Sequence, residues 1–173
     1  MKCLTILAAI VFVCTANVNG QDKNLMPAMG ETPNLPYKIA NKNVTLGNPA
    51  YAQKLLWIYK NYEDNNIDKT AETFDENIVG TMPDGTVVKG KAAMVRAFKE
   101  ARESLASINM DIRACVVLKS PDMPDREAVT TWTLETDTAK DGTITKFYLN
   151  EVWFFNKQGK VIEGFGMVGK YGQ

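Results

Sequence analysis

Apolar residues in this chain recur at two different periods, and the change from one to the other limits what it can fold into. From Asn48 to Leu105 they follow the 3.6-residue repeat of helices, interrupted once by a hairpin signal. From Ile108 to Val168 they alternate with period two. Helices first, then long strands joined by short turns, is an α+β order.

The local signals agree. Asn48-Pro49 reads as a helix start, with Asn as N-cap and Pro at the first helical position. That helix is expected to run to about Asp64, burying Ala52, Leu55, Leu56, Tyr59 and Tyr62 while Trp57 points away. Asn65-Asn66 breaks it, and a short second helix from Ile67 to about Phe74 buries Ile67, Ala71 and Phe74. Strands Ile78–Met82 and Thr86–Lys89 flank a Pro83-Asp84-Gly85 turn. A third helix runs from Lys91 to about Leu105, with Met94, Ala97, Phe98, Ala101 and Leu105 on one stripe. Four strands follow. Ile108–Leu118 puts Ile108, Met110, Ile112, Val116 and Leu118 on one side, and Ala128–Thr136 alternates around Trp132 and Leu134. Thr145–Asn156 and Lys160–Val168 form the last hairpin.

The N-terminal stretch belongs to a different process. Lys2 gives a short positive region, Cys3 to Val13 is apolar, and Gly20 precedes Gln21, so residues 1–20 read as a signal peptide. Cleavage after Ala16 is the rival, and a lipoprotein anchored through Cys14 is the alternative mode of export. Residues 21–47 carry prolines and no sustained period, as a flexible or extended leader does. Residues 48–173 form the folded domain. The expected location is periplasmic or extracellular.

Composition narrows the chemistry. With 0 histidines, catalysis by Ser-His-Asp or Cys-His, His-ligated zinc and imidazole proton transfer are excluded. The 20 basic and 20 acidic residues give no positive excess to steer the chain to nucleic acid, and no segment after the signal suits membrane insertion. Two of the 3 cysteines lie in the signal, so Cys115 has no intrachain disulfide partner and reads as a small buried apolar residue. No metal or cofactor motif is present; Gly164-Phe165-Gly166 lies late in a strand with no helix after it.

Three segments in order carry a resemblance: Asn66-Ile67-Asp68 to Phe74, Pro83 to Lys91, and Glu151 to Val161 with its Asn156…Gly159-Lys160 turn. Together they resemble the nuclear transport factor 2-like superfamily, in its SnoaL-like branch, over about Asn48 to Gly169. The resemblance implies three helices packed in the concave face of a curved antiparallel sheet, a cone-shaped α+β barrel of the cystatin-like kind with an apolar pocket. It also implies that function is open, because such pockets serve isomerases, cyclases, hydrolases and binding modules. Related ketosteroid isomerases carry a general-base Asp where this chain has Met82. Their helix-one Tyr falls near Ile58, close to Tyr59 and Tyr62. Their protonated acid on the penultimate strand falls on Glu151.

Glu151 also stands out from the residues themselves. It shares a strand face with Phe147, Leu149, Trp153 and Phe155, where desolvation raises a carboxyl pKa. Pairing with Lys or Arg, or an open sheet edge, is the alternative. We expect Glu151 to face the concave side as the pocket's only deep acidic group and its candidate catalytic residue. The expected pocket is Tyr59, Phe74, Met82, Phe98, Glu151 and Trp153. Asp84 belongs to turn chemistry, and Asp111 with Arg113 to a surface pair. Gly164 and Gly166 either widen the pocket or permit close strand packing. The first functional reading is an exported protein binding a small, mostly hydrophobic molecule without cofactor. The alternatives are a cofactor-independent isomerase, cyclase or hydrolase using Glu151 as acid or base, and a non-catalytic dimerisation or assembly module. A homodimer through the outer sheet face is the expected partner state.

Overall fold

A computed structural model describes residues 40–41 and 43–172. The signal segment 1–20, its cleavage point, Cys14 and the leader through residue 39 lie outside the described residues. The elements are β1 (Thr45–Leu46), α1 (Pro49–Glu63), α2 (Ile67–Ala71), β2 (Phe74–Thr81), β3 (Val87–Lys89), α3 (Lys91–Glu103), β4 (Leu105–Lys119), β5 (Arg126–Ala139), β6 (Ile144–Asn156) and β7 (Val161–Lys170). The strands form one curved, unclosed sheet of order β1-β4-β5-β6-β7-β2-β3, with the three helices against its concave side.

The α+β architecture matches the expectation, and the sheet differs in one respect. It is mixed, because β2 pairs with β7 in parallel while every other neighbouring pair is antiparallel. The long β4–β7 meander ends on a strand with a free edge, and β2, delivered there by the two helices before it, pairs with that edge.

Local chemistry explains the element ends. The Asn48 side chain accepts from the Ala50 N–H at 3.0 Å, and Pro49 needs no donor at the first helical position. Asp84 accepts from the Thr86 N–H at 2.9 Å inside its turn, and this bond holds its carboxyl below the usual range. Asp111 and Arg113 pair on the surface at 2.6 Å.

Several boundaries moved. Phe74 opens β2 rather than ending α2, since the second helix stops at Ala71. Leu105 opens β4 rather than closing α3. Thr45 and Leu46 leave the leader to pair with Lys119 and Leu118. On α1 the buried residues are Leu55, Ile58 and Tyr59, whereas Leu56 is exposed, as Trp57 is.

Two changes matter for the site. A register shift between Ile112 and Ala114 inserts a residue into β4. Alternation therefore changes parity, and Cys115 and Val117 face the core instead of Val116 and Leu118. On β5 the apolar alternates Trp132 and Leu134 are not the inner face. Val129, Thr131, Thr133 and Glu135 are buried, while Trp132 is 48% exposed on the outer side. The core consists of Leu55, Ile58, Phe74, Ile78, Met94, Val117, Val129, Trp153, Phe155 and Val161, together with Tyr59. It occupies one end of the concave face, and the polar residues of β5 run from it toward the other end.

Candidate functional site

Tyr59 and Tyr62 lie three residues apart on α1 and so share a helix face. Tyr59 is buried, with its hydroxyl 2.8 Å from Thr131 Oγ1. The same hydroxyl donates to the Glu151 carboxylate. Thr131 and Glu151 are direct cross-strand partners on β5 and β6, so one hydroxyl ties the helix to both central strands. Burial, then the neighbouring Glu151, push the Tyr59 pKa well up, which keeps it a donor.

Glu151 faces the concave side among Leu149, Trp153 and Phe155, as alternation requires. Part of its surface meets the cavity, yet its carboxyl is enclosed by protein. Burial raises its pKa, opposed by the Tyr59 hydroxyl and the nearby Trp153 N–H. The indole N–H lies close enough to favour the carboxylate but completes no hydrogen bond among the described residues. No lysine or arginine pairs with Glu151 there, so the salt-bridge alternative does not apply.

Beside this cluster lies a cavity of about 180 Å³, lined by Ile58, Tyr59, Tyr62, Met82, Pro83, Phe98, Ala101, Met110, Glu135, Phe147, Leu149, Glu151, Trp153 and Val168. Five of the six expected residues meet there: Tyr59, Met82, Phe98, Glu151 and Trp153. Phe74 does not. It is buried behind Trp153, its ring parallel to the indole at 6.4 Å. Phe98 packs edge-on against Phe74, Trp153 and Tyr62 at 5.8, 6.3 and 5.7 Å, which fixes that wall. Larger concavities of about 380 Å³ beside the β4–β5 turn and 470 Å³ on the outer sheet face hold no buried ionisable group.

Gly164 does not widen the cavity. It lies opposite Trp153, and a Cβ there would come within 2.5 Å of the indole ring, so the glycine makes room for tryptophan. Gly166 lies opposite Glu151, where a Cβ would make ordinary contacts with Glu151 and Leu149 from 3.4 Å.

Glu151 is not the only acid. Glu135, only 6% exposed, lines the same cavity, with Asp137 two residues along the strand. Burial pushes Glu135 up to about 8, reinforced by Asp137, Glu151 and Glu63. Asp137 is raised by burial and drawn down by its bond from Glu135 and by the Arg102 charge. The pair shares a proton at neutral pH. Arg102 is buried and directs its N–H groups to the carbonyl oxygens of Tyr62, Glu63 and Leu105. It therefore closes the C-terminal end of α1 rather than pairing with a carboxylate. Among the described residues no group of three or more potential ligands is placed to hold a metal, and no helix is long and apolar enough to cross a membrane.

The fold that holds this pocket, helices against a curved sheet, has counterparts. Residues 58–164 match the model of the SnoaL-like domain. The chain belongs to the SnoaL-like family. The SnoaL-like region runs from inside α1 to β7 and holds Tyr59, Glu135 and Glu151 together. Solved structures share its fold at low identity. An uncharacterized protein with a cystatin-like fold from Caulobacter vibrioides superposes with a TM-score of 0.60 at 13% identity, covering 70% of this chain and 89% of that one. An NTF2-like protein of unknown function from Pseudomonas putida gives 0.57 at 13% identity, covering 71% and 89%. An LEH-like epoxide hydrolase from M. tuberculosis gives 0.57 at 9% identity, covering 69% and 84%. No curated protein matches the chain.

Proposed function

We propose that this SnoaL-like protein binds a small, mostly hydrophobic molecule in the cavity between α1, α3 and the sheet, with one polar end toward Glu151. The supporting observation is the cavity of about 180 Å³, whose wall is apolar except for Tyr59, Tyr62 and two carboxyls. A cavity of ~150 Å³ accommodates benzene, so a single ring or a short chain fits. Export through residues 1–20 and a folded domain over 48–173 belong to the same reading. Mass spectrometry of the purified protein under native conditions tests it. A co-purifying small molecule, lost in a Phe98→Trp variant that fills the cavity, is expected. Native protein that neither carries nor takes up any small molecule counts against it.

A catalytic reading is favoured by one specific feature, the enclosed Glu151 carboxyl bonded to Tyr59. A carboxyl raised toward neutrality exchanges protons without a cofactor. Met82 stands where related isomerases have their base, so an isomerase of that type is disfavoured. If turnover is found, Glu151→Gln should abolish it while preserving the fold; full retained rate would remove Glu151 from the mechanism. A homodimer through the outer sheet face is supported by Trp132, Tyr148 and Met167, exposed at 48%, 52% and 56%. Light scattering of the wild type and of Trp132→Glu tests this, and a monomer mass for the wild type excludes it.

A further inference from the structure

The polar end of the ligand is narrowed by the groups that face it, an inference that rests on the small-molecule reading above. Donors are scarce in the cavity. The Tyr59 hydroxyl is committed to Glu151 and Thr131. Arg102 is turned to backbone carbonyls, and neither lysine nor arginine lines the cavity. The Trp153 N–H is buried beside Glu151 and Tyr59. Tyr62 is the one hydroxyl left on the wall.

Acceptors are plentiful. Glu135 is more than nine-tenths buried, lines the cavity, and receives no bond from any N–H or hydroxyl of the described residues. Its polar neighbour is another carboxyl, Asp137. When Glu135 carries a proton its hydroxyl donates to Asp137, which leaves the other Glu135 oxygen without a donor. Its other charged and titratable neighbours are Glu151 on β6, Glu63 and Tyr62 on α1, and Arg102 on α3 acting through Asp137. An enclosed carboxyl without a donor is completed only by a donor from outside the protein. Tyr62, Phe98 and Phe147 line the same cavity, and aromatic rings attract cations.

We infer that the pocket selects a small organic cation, a monocyclic or short-chain amine whose ammonium group lies between Glu135 and Glu151 with its apolar body against Phe98, Phe147 and Leu149. The ammonium supplies N–H donors to Glu135, which has none among the described residues, and to the Glu151 oxygen that Tyr59 leaves free. It also replaces the proton that the Glu135–Asp137 pair holds. Binding therefore expels a proton, because burial and its acidic neighbours keep Glu135 protonated up to about pH 8. The ionised fraction rises about tenfold between pH 7 and pH 9, and the affinity for an amine still charged at pH 9 rises with it.

Titration calorimetry of the purified protein with cyclohexylamine, and with cyclohexanol as its neutral counterpart, tests the inference. Cyclohexylamine is expected to bind at least tenfold more tightly, to release close to one proton at pH 7 in buffers of differing ionisation enthalpy, and to tighten about tenfold by pH 9. Glu135→Gln should remove the proton release and most of the preference for the amine over cyclohexanol, and cyclohexanol binding that persists in the variant shows that the cavity still forms. If cyclohexanol binds as tightly as the amine, or the amine releases no proton, the cation proposal is overturned while the small-molecule reading stands. If neither probe binds and cavity-filling Phe98→Trp changes nothing, both fall.

Discussion

Gly164 and Gly166 lie on one face of one strand, and the structure assigns them opposite responses to the same substitution. An alanine Cβ at 164 would lie 2.5, 2.7 and 3.0 Å from Trp153 Cε3, Cζ3 and Cδ2. The indole cannot easily yield, since Phe74 lies parallel to it at 6.4 Å and Phe98 meets it edge-on at 6.3 Å. Overpacking of this kind costs about 1–3 kcal/mol. Strand propensity works the other way, because replacing an interior glycine by alanine gains about 0.5–1 kcal/mol. The clash should win, for a net loss of about 1–2 kcal/mol. At 166 the nearest atoms are Glu151 Oε1 at 3.4 Å, Glu151 Cγ at 3.5 Å and Leu149 Cδ1 at 3.6 Å. There the propensity gain should survive, making Gly166→Ala neutral or slightly stabilising. Urea denaturation followed by fluorescence reads both, and with an m-value near 1–3 kcal/mol/M the Gly164→Ala midpoint should fall by about 1 M. In a Trp153→Leu background the penalty should disappear, a coupling above about 1 kcal/mol. An unchanged or higher midpoint for Gly164→Ala, or a penalty that persists without the indole, would refute the packing argument.

Two further substitutions probe the polar wall. Tyr59→Phe removes the only hydroxyl donating to Glu151 among the described residues and leaves Thr131 Oγ1 without its partner; a loss of about 1–3 kcal/mol is expected at pH 7, as urea titration will show. Thr133 is 1% exposed with an unpartnered Oγ1, so the near-isosteric Thr133→Val should raise stability by about 1 kcal/mol, and a clear loss would mean that the hydroxyl has a partner in solution.

Much of the fold was legible because its signals are local. Asn48-Pro49, Pro83-Asp84-Gly85 and the Asn156–Gly159 turn each fix backbone geometry within four residues, and each forms where expected. Glu151 was legible because its four strand neighbours are large and apolar, so alternation alone sets its direction. What failed depends on distant partners. Phe74 joins a strand because β7 offers it a free edge at Val161. The parity change in β4 comes from an inserted residue that no single amino acid announces. Glu135 was missed for a deeper reason. On β5, Trp132 and Leu134 are the apolar alternates, so the apolar face looks like the inner one. In fact Thr131, Thr133 and Glu135 face inward, where the tyrosines of α1 and the cavity meet them. The available signal was the run of polar residues at alternate positions from Thr131 to Asp137, flanked by strands with clear apolar faces.

That inverted strand makes the fold less stable than its topology requires, and the effect is measurable through pH. A carboxyl whose native pKa stands near 8, against 4.5 when exposed, binds its proton more tightly in the folded state. The contribution is complete below the unfolded value and is lost as pH rises toward the folded one. At about 1.4 kcal/mol per unit, Glu135 should draw stability down by a few kcal/mol between pH 5 and pH 8. Glu135→Gln has no proton to lose, keeps the shape, and offers its amide N–H to Asp137. It should match the wild type near pH 5, exceed it at pH 8, and flatten the profile measured by urea denaturation. Equal slopes for the two proteins would show that Glu135 titrates normally and that the cavity is wetter at that end than its burial indicates. With the predicted slope, Glu135→Gln would improve the stability of the protein while, on the amine proposal above, weakening the site. A destabilising group placed on a cavity wall, where glutamine would serve the fold better, is how a binding site differs from a core.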